Sequence, residues 1–482
     1  MILLINPPHP PGYISNKDTM GGFGQIYEDS FAKTLPPLDL YYIGAVLRKN
    51  EIDVKIFDCG PFSLTIDDLI STIKTDLPRI VGVRISTPTY DWDLSVIQQI
   101  KNECNVQIVV FGPHATLFEQ EIISNKSIDM VILGEPEYAF HDLAKKQKEN
   151  IEGLVYKENG VIFRKTKVRV IDDLDGLPFP AWDMIPADSF SLGRYANYQQ
   201  PFFTILTSRG CPYGCKYCPY PIAQGKKWRA RSADNVVAEI QYLIDRFGMR
   251  GLLFRDPEFS ADNSRVKAIC EQILEKKLSF SWRCETRIDT VNEELLTLMA
   301  RAGCVGINFG IESVTDKVLE GVGRKKIAPK DIFEQVNTCK RLGIDTFCFF
   351  IIGLPDDDAE TILDNIHFAL TLNPTAAQFA VFTPYFGTEM RLWYEEHGFI
   401  VQRDVESMTS YRSTVRTEKL TQSELQKFRD MASKMWELNV KTRNEFELKE
   451  KYEELNRLKS TSWYKISFAC RSIIRQITSF VC

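Results

Sequence analysis

Short apolar runs alternate along the first third of the chain with stretches in which apolar positions recur at helical spacing. Ile2–Asn6, Val54–Cys59, Ile80–Ser86, Gln107–Phe111 and Met130–Leu133 read as strands buried on both faces. Asp39–Asn50, Thr65–Thr75 and Asp91–Asn102 read as the helices between them. The alternation predicts a doubly wound parallel sheet, whose ligands bind beyond the carboxyl ends of the strands. Those ends carry Asn6-Pro-Pro-His9, Ser86-Thr-Pro-Thr89, Gly112-Pro-His-Ala115 and Gly134-Glu-Pro-Glu137. Their Gly, Pro and small hydroxyl residues suit a broad ligand laid across strand ends.

A second alternating series begins near residue 201. Thr204–Ser208, Leu252–Arg255, Phe280–Thr286, Val305–Phe309, Thr346–Ile352 and Ala377–Thr383 read as six parallel strands separated by helices, part of an eight-fold barrel. Between the two series lies a connector with a small hairpin, Gly153–Tyr156 and Gly160–Phe163, and the Pro-rich phrase Leu174–Asp183. Ser423–Lys459 reads as one long charged helix. In the tail, Trp463, Ile466, Ala469, Cys470, Ile473, Ile474, Ile477, Phe480 and Val481 recur at helical spacing, with Lys465, Arg471 and Arg475 elsewhere on the turn. Such a basic amphipathic helix packs on its own barrel or a partner, or lies in a membrane interface.

Composition narrows the classes. A net charge of −5 over 482 residues excludes a general nucleic-acid binder. No apolar run reaches the roughly 18 residues of a membrane span, and the first residues lack the pattern of a secretory signal. Twelve irregularly spaced cysteines are too sparse for a disulfide scaffold. A reducing, cytoplasmic location is expected, peripheral to a membrane at most.

Three of those cysteines stand together in Cys211-Pro-Tyr-Gly-Cys215-Lys-Tyr-Cys218, immediately after the first strand of the second series. Four-iron clusters take four cysteine ligands; a C-x3-C-x2-C trio fills three irons and leaves the fourth open to a small molecule. A closed zinc shell would need a further Cys or His pair at similar spacing, and none follows.

The trio, with the aromatic Tyr217 before its third cysteine, resembles the signature of radical S-adenosylmethionine (SAM) enzymes. The first third resembles the cobalamin-binding domain that precedes this core in the B12-binding class, through Pro36–Arg48, Phe111–Thr116 and Gly134–Glu137. Leu177–Trp182 and Pro384–Thr388 are similar as well. The resemblance covers residues 1 to about 400. It implies an α/β chain with a Rossmann-like cobalamin-binding domain (1–140), a connector (141–200), a partial (β/α)6 radical SAM barrel (201–390) and a helical C-terminal region (391–482). It implies three cofactors: a [4Fe-4S] cluster on Cys211, Cys215 and Cys218, SAM, and cobalamin. Tyr217, Asp256, Glu258, Arg287, Glu312, Ser313 and Gly353 are expected on the SAM side. Ser86, Thr87, Gly112, His114, Gly134 and Glu135 are expected around cobalamin. The Asp-x-His-x-x-Gly motif that brings a histidine to cobalt in other B12 proteins is absent. The expected reaction is methylation of an unactivated carbon in a small-molecule or lipid substrate, with flavodoxin or ferredoxin as electron donor. Cyclisation or carbon-skeleton rearrangement with the same cofactors is the alternative, and a cofactor-binding sensor without turnover is the non-enzymatic one.

Overall fold

The computed structural model describes residues 1–28, 33–62, 64–145, 148–165, 167–185, 191–192, 199–404 and 407–459. Both alternating series fold as their patterns predict. In the first, β1 (Ile2–Asn6), β2 (Val54–Asp58), β3 (Ile80–Arg84), β4 (Gln107–Phe111) and β5 (Met130–Ile132) form a parallel sheet in the order β2-β1-β3-β4-β5. Helices cover both faces, so consecutive residues of the inner strands β1 and β3 are all buried and split between two cores. Leu3, Ile5, Val81, Val83, Ile108 and Val110 pack with helices Ile66–Asp76 and Tyr90–Glu103. Ile2, Leu4, Val109 and Phe111 pack with Leu38–Lys49 and Glu137–Ala144.

The hairpin placed in the connector belongs instead to this sheet. Its strands β6 (Leu154–Glu158) and β7 (Val161–Arg164) add to β5 in antiparallel order, giving seven strands. β5 is only three residues long, and Leu154 and Val155 of β6 are fully buried against it.

The second series is an open barrel of six parallel strands in sequential order: β8 (Phe202–Ile205), β9 (Gly251–Phe254), β10 (Ser281–Thr286), β11 (Cys304–Glu312), β12 (Asp345–Ile352) and β13 (Ala376–Val381). Residue parity decides what faces the lumen. Along β12, Cys348, Phe350 and Ile352 are buried, while the alternate Phe347, Phe349 and Ile351 are half-buried. Caps set the helix ends: Ser232 accepts the Asn235 amide at the start of Ala233–Phe247, and Gly248 ends that helix at φ +64°.

The long helix Gln422–Lys459 lies along β13 and β12, burying Leu425, Ala432 and Trp436. No helix among the described residues is long and apolar enough to cross a membrane. The amphipathic pattern of residues 463–481 lies outside the described residues.

Candidate active site

The loop carrying the three cysteines leaves β8 and is cinched at its base. Ser208–Arg209 pairs antiparallel with Arg229–Ala230, and the Cys211 amide donates to the Gly225 carbonyl at 3.2 Å. Between them Gly210 has φ +81°, and a Cβ there would lie 2.2 Å from the Lys227 carbonyl oxygen, so only glycine fits. The Cys218 amide closes a turn on the Cys215 carbonyl at 3.1 Å. Burial pushes the Cys211 thiol up to about 11 and the Cys218 thiol well above the ordinary thiol range. Among the described residues, no three Cys, His, Asp or Glu side chains converge tightly enough to grip a single metal ion.

Asp256 and Glu258 are buried and hydrogen-bonded within the chain. Asp256 is fully buried; it accepts the Thr207 amide at 2.7 Å, the Thr207 hydroxyl at 2.6 Å and the Ser208 hydroxyl at 2.7 Å. Glu258 accepts the Arg287 amide at 3.0 Å together with the Thr286 and Ser260 hydroxyls. One carboxylate fixes the start of the cysteine loop and the other the end of β10. Ser313 is likewise internal: its hydroxyl accepts the Thr315 amide and the Asn365 side-chain amide, both at 3.2 Å. Gly353 (φ +91°) donates its N–H to Asp357 at 2.9 Å, and its carbonyl accepts the Tyr394 hydroxyl at 2.6 Å. None of these four is on the wall of either of the two cavities described next.

The barrel lumen holds a cavity of about 400 Å³. Tyr217, Glu312, Glu285 and Arg255 stand on its wall toward the cysteine loop, and Phe347, Phe349, Tyr385 and Tyr411 form an aromatic side. Glu312 sits where the β11–β12 register shifts, in the left-handed region at φ +67°, a strained backbone for a glutamate. Arg324, absent from the sequence expectations, completes this end. Its Nη1 lies 3.8 Å from the Cys215 sulfur, 3.2 Å from the Tyr217 hydroxyl and 3.7 Å from the Glu312 carboxylate. Burial still holds the Glu312 carboxyl above its usual range despite that guanidinium. Arg287 is off the cavity wall; it pairs with Asp289 at 2.8 and 2.9 Å and lies 4.4 Å over the Tyr213 ring, between the first two cysteines.

A second, smaller cleft of about 90 Å³ opens at the strand ends of the N-terminal sheet, facing the barrel. Gly112 (φ +118°) and Gly134 (φ +79°) line it with bare backbone; a Cβ would lie 2.7 Å from the Ile85 carbonyl in the first case and 2.3 Å from that of Arg169 in the second. Glu135 and Glu137 are on the same wall. They hold a buried interdomain clamp: Arg209 meets Glu137 at 2.6 Å and Glu135 at 3.4 Å, and Arg229 meets Glu135 at 2.9 Å. Arg209 is two residues before Cys211, so the clamp ties this cleft to the root of the cysteine loop.

Ser86 and Thr87 lie behind the wall. The Ser86 hydroxyl meets Thr89 at 2.8 Å, and the Thr87 hydroxyl meets His114 Nδ1 at 3.2 Å. His114 is wedged between Tyr90 and Phe118, off the cleft, and burial lowers it to about 3, leaving a neutral ring. A segment with no strand or helix signature, residues 17–24, forms the partition between the two cavities. Thr19 and Met20 face the lumen, whereas Asp18, Gly21 and Gly22 face the cleft. It is pinned by Lys17 to Asp93 (2.7 Å) and by Asp18 to Arg255 (3.3 Å).

The chain is similar to known proteins in both of its parts. Residues 24–144 match the B12 binding domain and residues 205–369 the radical SAM superfamily. An uncharacterized methyltransferase of Pyrococcus horikoshii is 36% identical over 369 residues, covering 75% of this chain and 78% of its own. The cytidylyl-2-hydroxyethylphosphonate methyltransferase of Streptomyces wedmorensis is 24% identical, with 78% and 80% covered. The anaerobic magnesium-protoporphyrin IX monomethyl ester cyclase of Rubrivivax gelatinosus is 26% identical, with 73% and 64% covered. Among solved structures, the cobalamin-dependent SAM radical enzyme OxsB, with aqua-cobalamin bound, superposes at TM-score 0.69 with 15% identity over 99% of this chain and 71% of its own. The radical SAM methyltransferase TsrM of Kitasatospora setae, with cobalamin and a [4Fe-4S] cluster, gives 0.64 with 19% identity over 82% and 74%. With both domains matched in order and a relative 36% identical over three quarters of the chain, the chain belongs to the cobalamin-binding radical SAM enzymes, which work with a [4Fe-4S] cluster, SAM and cobalamin.

Proposed function

We propose that this enzyme methylates an unactivated carbon of a small molecule held in the barrel lumen, with the cluster on Cys211, Cys215 and Cys218 and cobalamin over the strand-end cleft. The observation that carries the proposal is that the two cavities stand back to back. Tyr220 and Arg255 belong to the walls of both, so a group in the cleft and a substrate in the lumen meet across one thin partition.

The residues present suit these groups. The three thiols stand on one short loop and are all free of disulfide bonds, as ligands of a cluster would be. The cleft offers bare glycine backbone and polar atoms without partners, Arg84 Nη1 and Glu137 Oε2. At about 90 Å³ it is far smaller than a corrin, so binding requires the partition 17–24 to lift from the strand ends. Bound there, the cluster supplies the electron that cleaves SAM, and cobalamin carries the methyl group. The chain's own side chains orient and enclose. Arg324 sets Tyr217 and Glu312 toward the lumen, and Asp256 and Glu258 hold the loop and the β10 end in register. The lumen volume lies in the range of small-molecule sites, which favours a compact substrate over a long-chain lipid. The ten described cysteines are all unpaired, as a reducing cytoplasm with a flavodoxin- or ferredoxin-type donor would keep them.

The identity to a cyclase keeps cyclisation as the second reading. Product analysis separates the two. Transfer of SAM's methyl group releases S-adenosylhomocysteine, and its reductive cleavage releases 5′-deoxyadenosine. Reconstituted enzyme given SAM, cobalamin and a strong reductant should make both. 5′-Deoxyadenosine alone would sink methyl transfer in favour of cyclisation, and neither product would return the chain to a sensor.

A further inference from the structure

The lumen wall carries five charged side chains, Arg255, Arg283, Glu285, Glu312 and Asp345. Arg283 and Asp345 pair at 2.6 Å near the strand starts, the guanidinium lying against the bare backbone of Gly306. Glu312 faces Arg324 at 3.7 Å beside Tyr217. Arg255 gives its hydrogen bonds to the carboxylate and the carbonyl of Asp18, both at 3.3 Å. Glu285 is the least compensated of the five. Among the described residues its carboxylate receives one long hydrogen bond, from Asn308 at 3.4 Å, and stands 3.6 Å from Arg255. Its side chain is 29% exposed, and Tyr27 and Tyr220 of the same wall lie within reach of its charge. Asn308 is in register with Glu285 on one side and with Phe347 on the other, so the carboxylate and the aromatic side stand two strands apart, about 10 Å between backbones. Phe347 and Phe349 both face the lumen, with ring centroids 4.8 Å apart. Asn308 also precedes Glu312 along β11 by about 13 Å of strand. Glu285 therefore stands at a different level of the lumen from the Tyr217, Glu312 and Arg324 group beside the cysteines.

We infer that the lumen selects a compact, ring-bearing amine, with its cationic nitrogen on Glu285 and its ring against Phe347 and Phe349. The inference rests on the lumen being the substrate site, as proposed above. A carboxylate in a cavity walled by protein attracts an ammonium group far more strongly than it would in water, and the tyrosine rings beside it suit the same charge. With three carboxylates against two basic groups on the wall, an anion of the same shape is disfavoured.

Calorimetric titration of the anaerobically reconstituted protein with three probes of one shape gives the test: 2-phenylethylamine, 2-phenylethanol and 3-phenylpropionate. The amine should bind about tenfold more tightly than the alcohol, with SAM present as well as absent, and the propionate most weakly. E285Q should lower the amine's affinity about tenfold, to that of the alcohol, and leave the alcohol's unchanged. F349A should weaken amine and alcohol together. An amine that binds no more tightly than the alcohol, a preference that survives in E285Q, binding unaltered in F349A, or displacement of the amine by SAM overturns the inference. Alcohol affinity that falls in E285Q along with the amine's assigns Glu285 to the fold and overturns it too. Binding is read without turnover, which keeps the two failures apart. No preference for the amine leaves methyl transfer standing, whereas a selectively bound amine with 5′-deoxyadenosine as the only product of SAM overturns methyl transfer and leaves the amine class standing.

Discussion

Asp256 offers the sharpest test of how the cysteine loop is held. It is fully buried and accepts three short hydrogen bonds from two consecutive residues at the root of that loop. Arg265 and Arg231, both buried, also feel its charge. Asp256→Ala removes the acceptor for one amide and two hydroxyls and leaves the guanidiniums less compensated. A hydrogen bond to a charged group contributes about 1.5–3 kcal/mol. The hydroxyls can turn to other acceptors, whereas the Thr207 amide cannot, so the three terms do not add in full. A loss of about 4 kcal/mol follows. Asp256→Asn keeps an acceptor for the amide and should cost about half as much. Denaturant unfolding of the apo-protein reads the stability, and iron and sulfide per chain after reconstitution read the loop. D256A should unfold at markedly lower denaturant and retain little iron, with D256N between it and wild type. D256A with an unchanged midpoint and full iron would refute the assignment of Asp256 to the loop, and would return it to the SAM side.

Two further perturbations probe the rest of the site. Glu137→Gln removes the carboxylate 2.6 Å from Arg209 and leaves that guanidinium with only Glu135, which already serves Arg229; a cost of about 3 kcal/mol in denaturant unfolding is expected, and a variant as stable as wild type would remove the clamp from the account. His114 is held neutral by burial, its folded value about 3 against an ordinary 6.5. The unfolded chain binds a proton that the folded one refuses, so this group's contribution is present above pH 6.5 and is lost as pH falls toward 3. At pH 5 the loss is about 2 kcal/mol. His114→Phe, which keeps a ring between Tyr90 and Phe118, should flatten the acid limb of a stability-versus-pH curve; an unaltered limb would contradict the buried neutral ring.

What was legible in the sequence follows from what repeats. Strands covered by helices on both faces are apolar throughout, so β1, β3 and β4 stood out, as did the six barrel strands. The cysteine trio was legible because its ligands are neighbours in sequence. Side-chain parity at a strand end is a different matter. At the end of β9, Arg255 points into the lumen and Asp256, one residue on, points back to the loop. Glu312 and Ser313 divide in the same way at the end of β11. A period of two means that an error of one residue in where the strand stops inverts the choice, and the sequence places strand ends no better than that. Pairs such as Arg209 with Glu137, or Arg84 with Asp39, leave no local pattern, because their partners are 72 and 45 residues apart. The polar residues that join the two cavities are of this second kind. Arg255 reaches Asp18 of the partition on one side and Glu285 of the lumen on the other, and so lies on both walls. The parity that turns Asp256 away from the site thus also makes Arg255 the charged side chain common to both cavities.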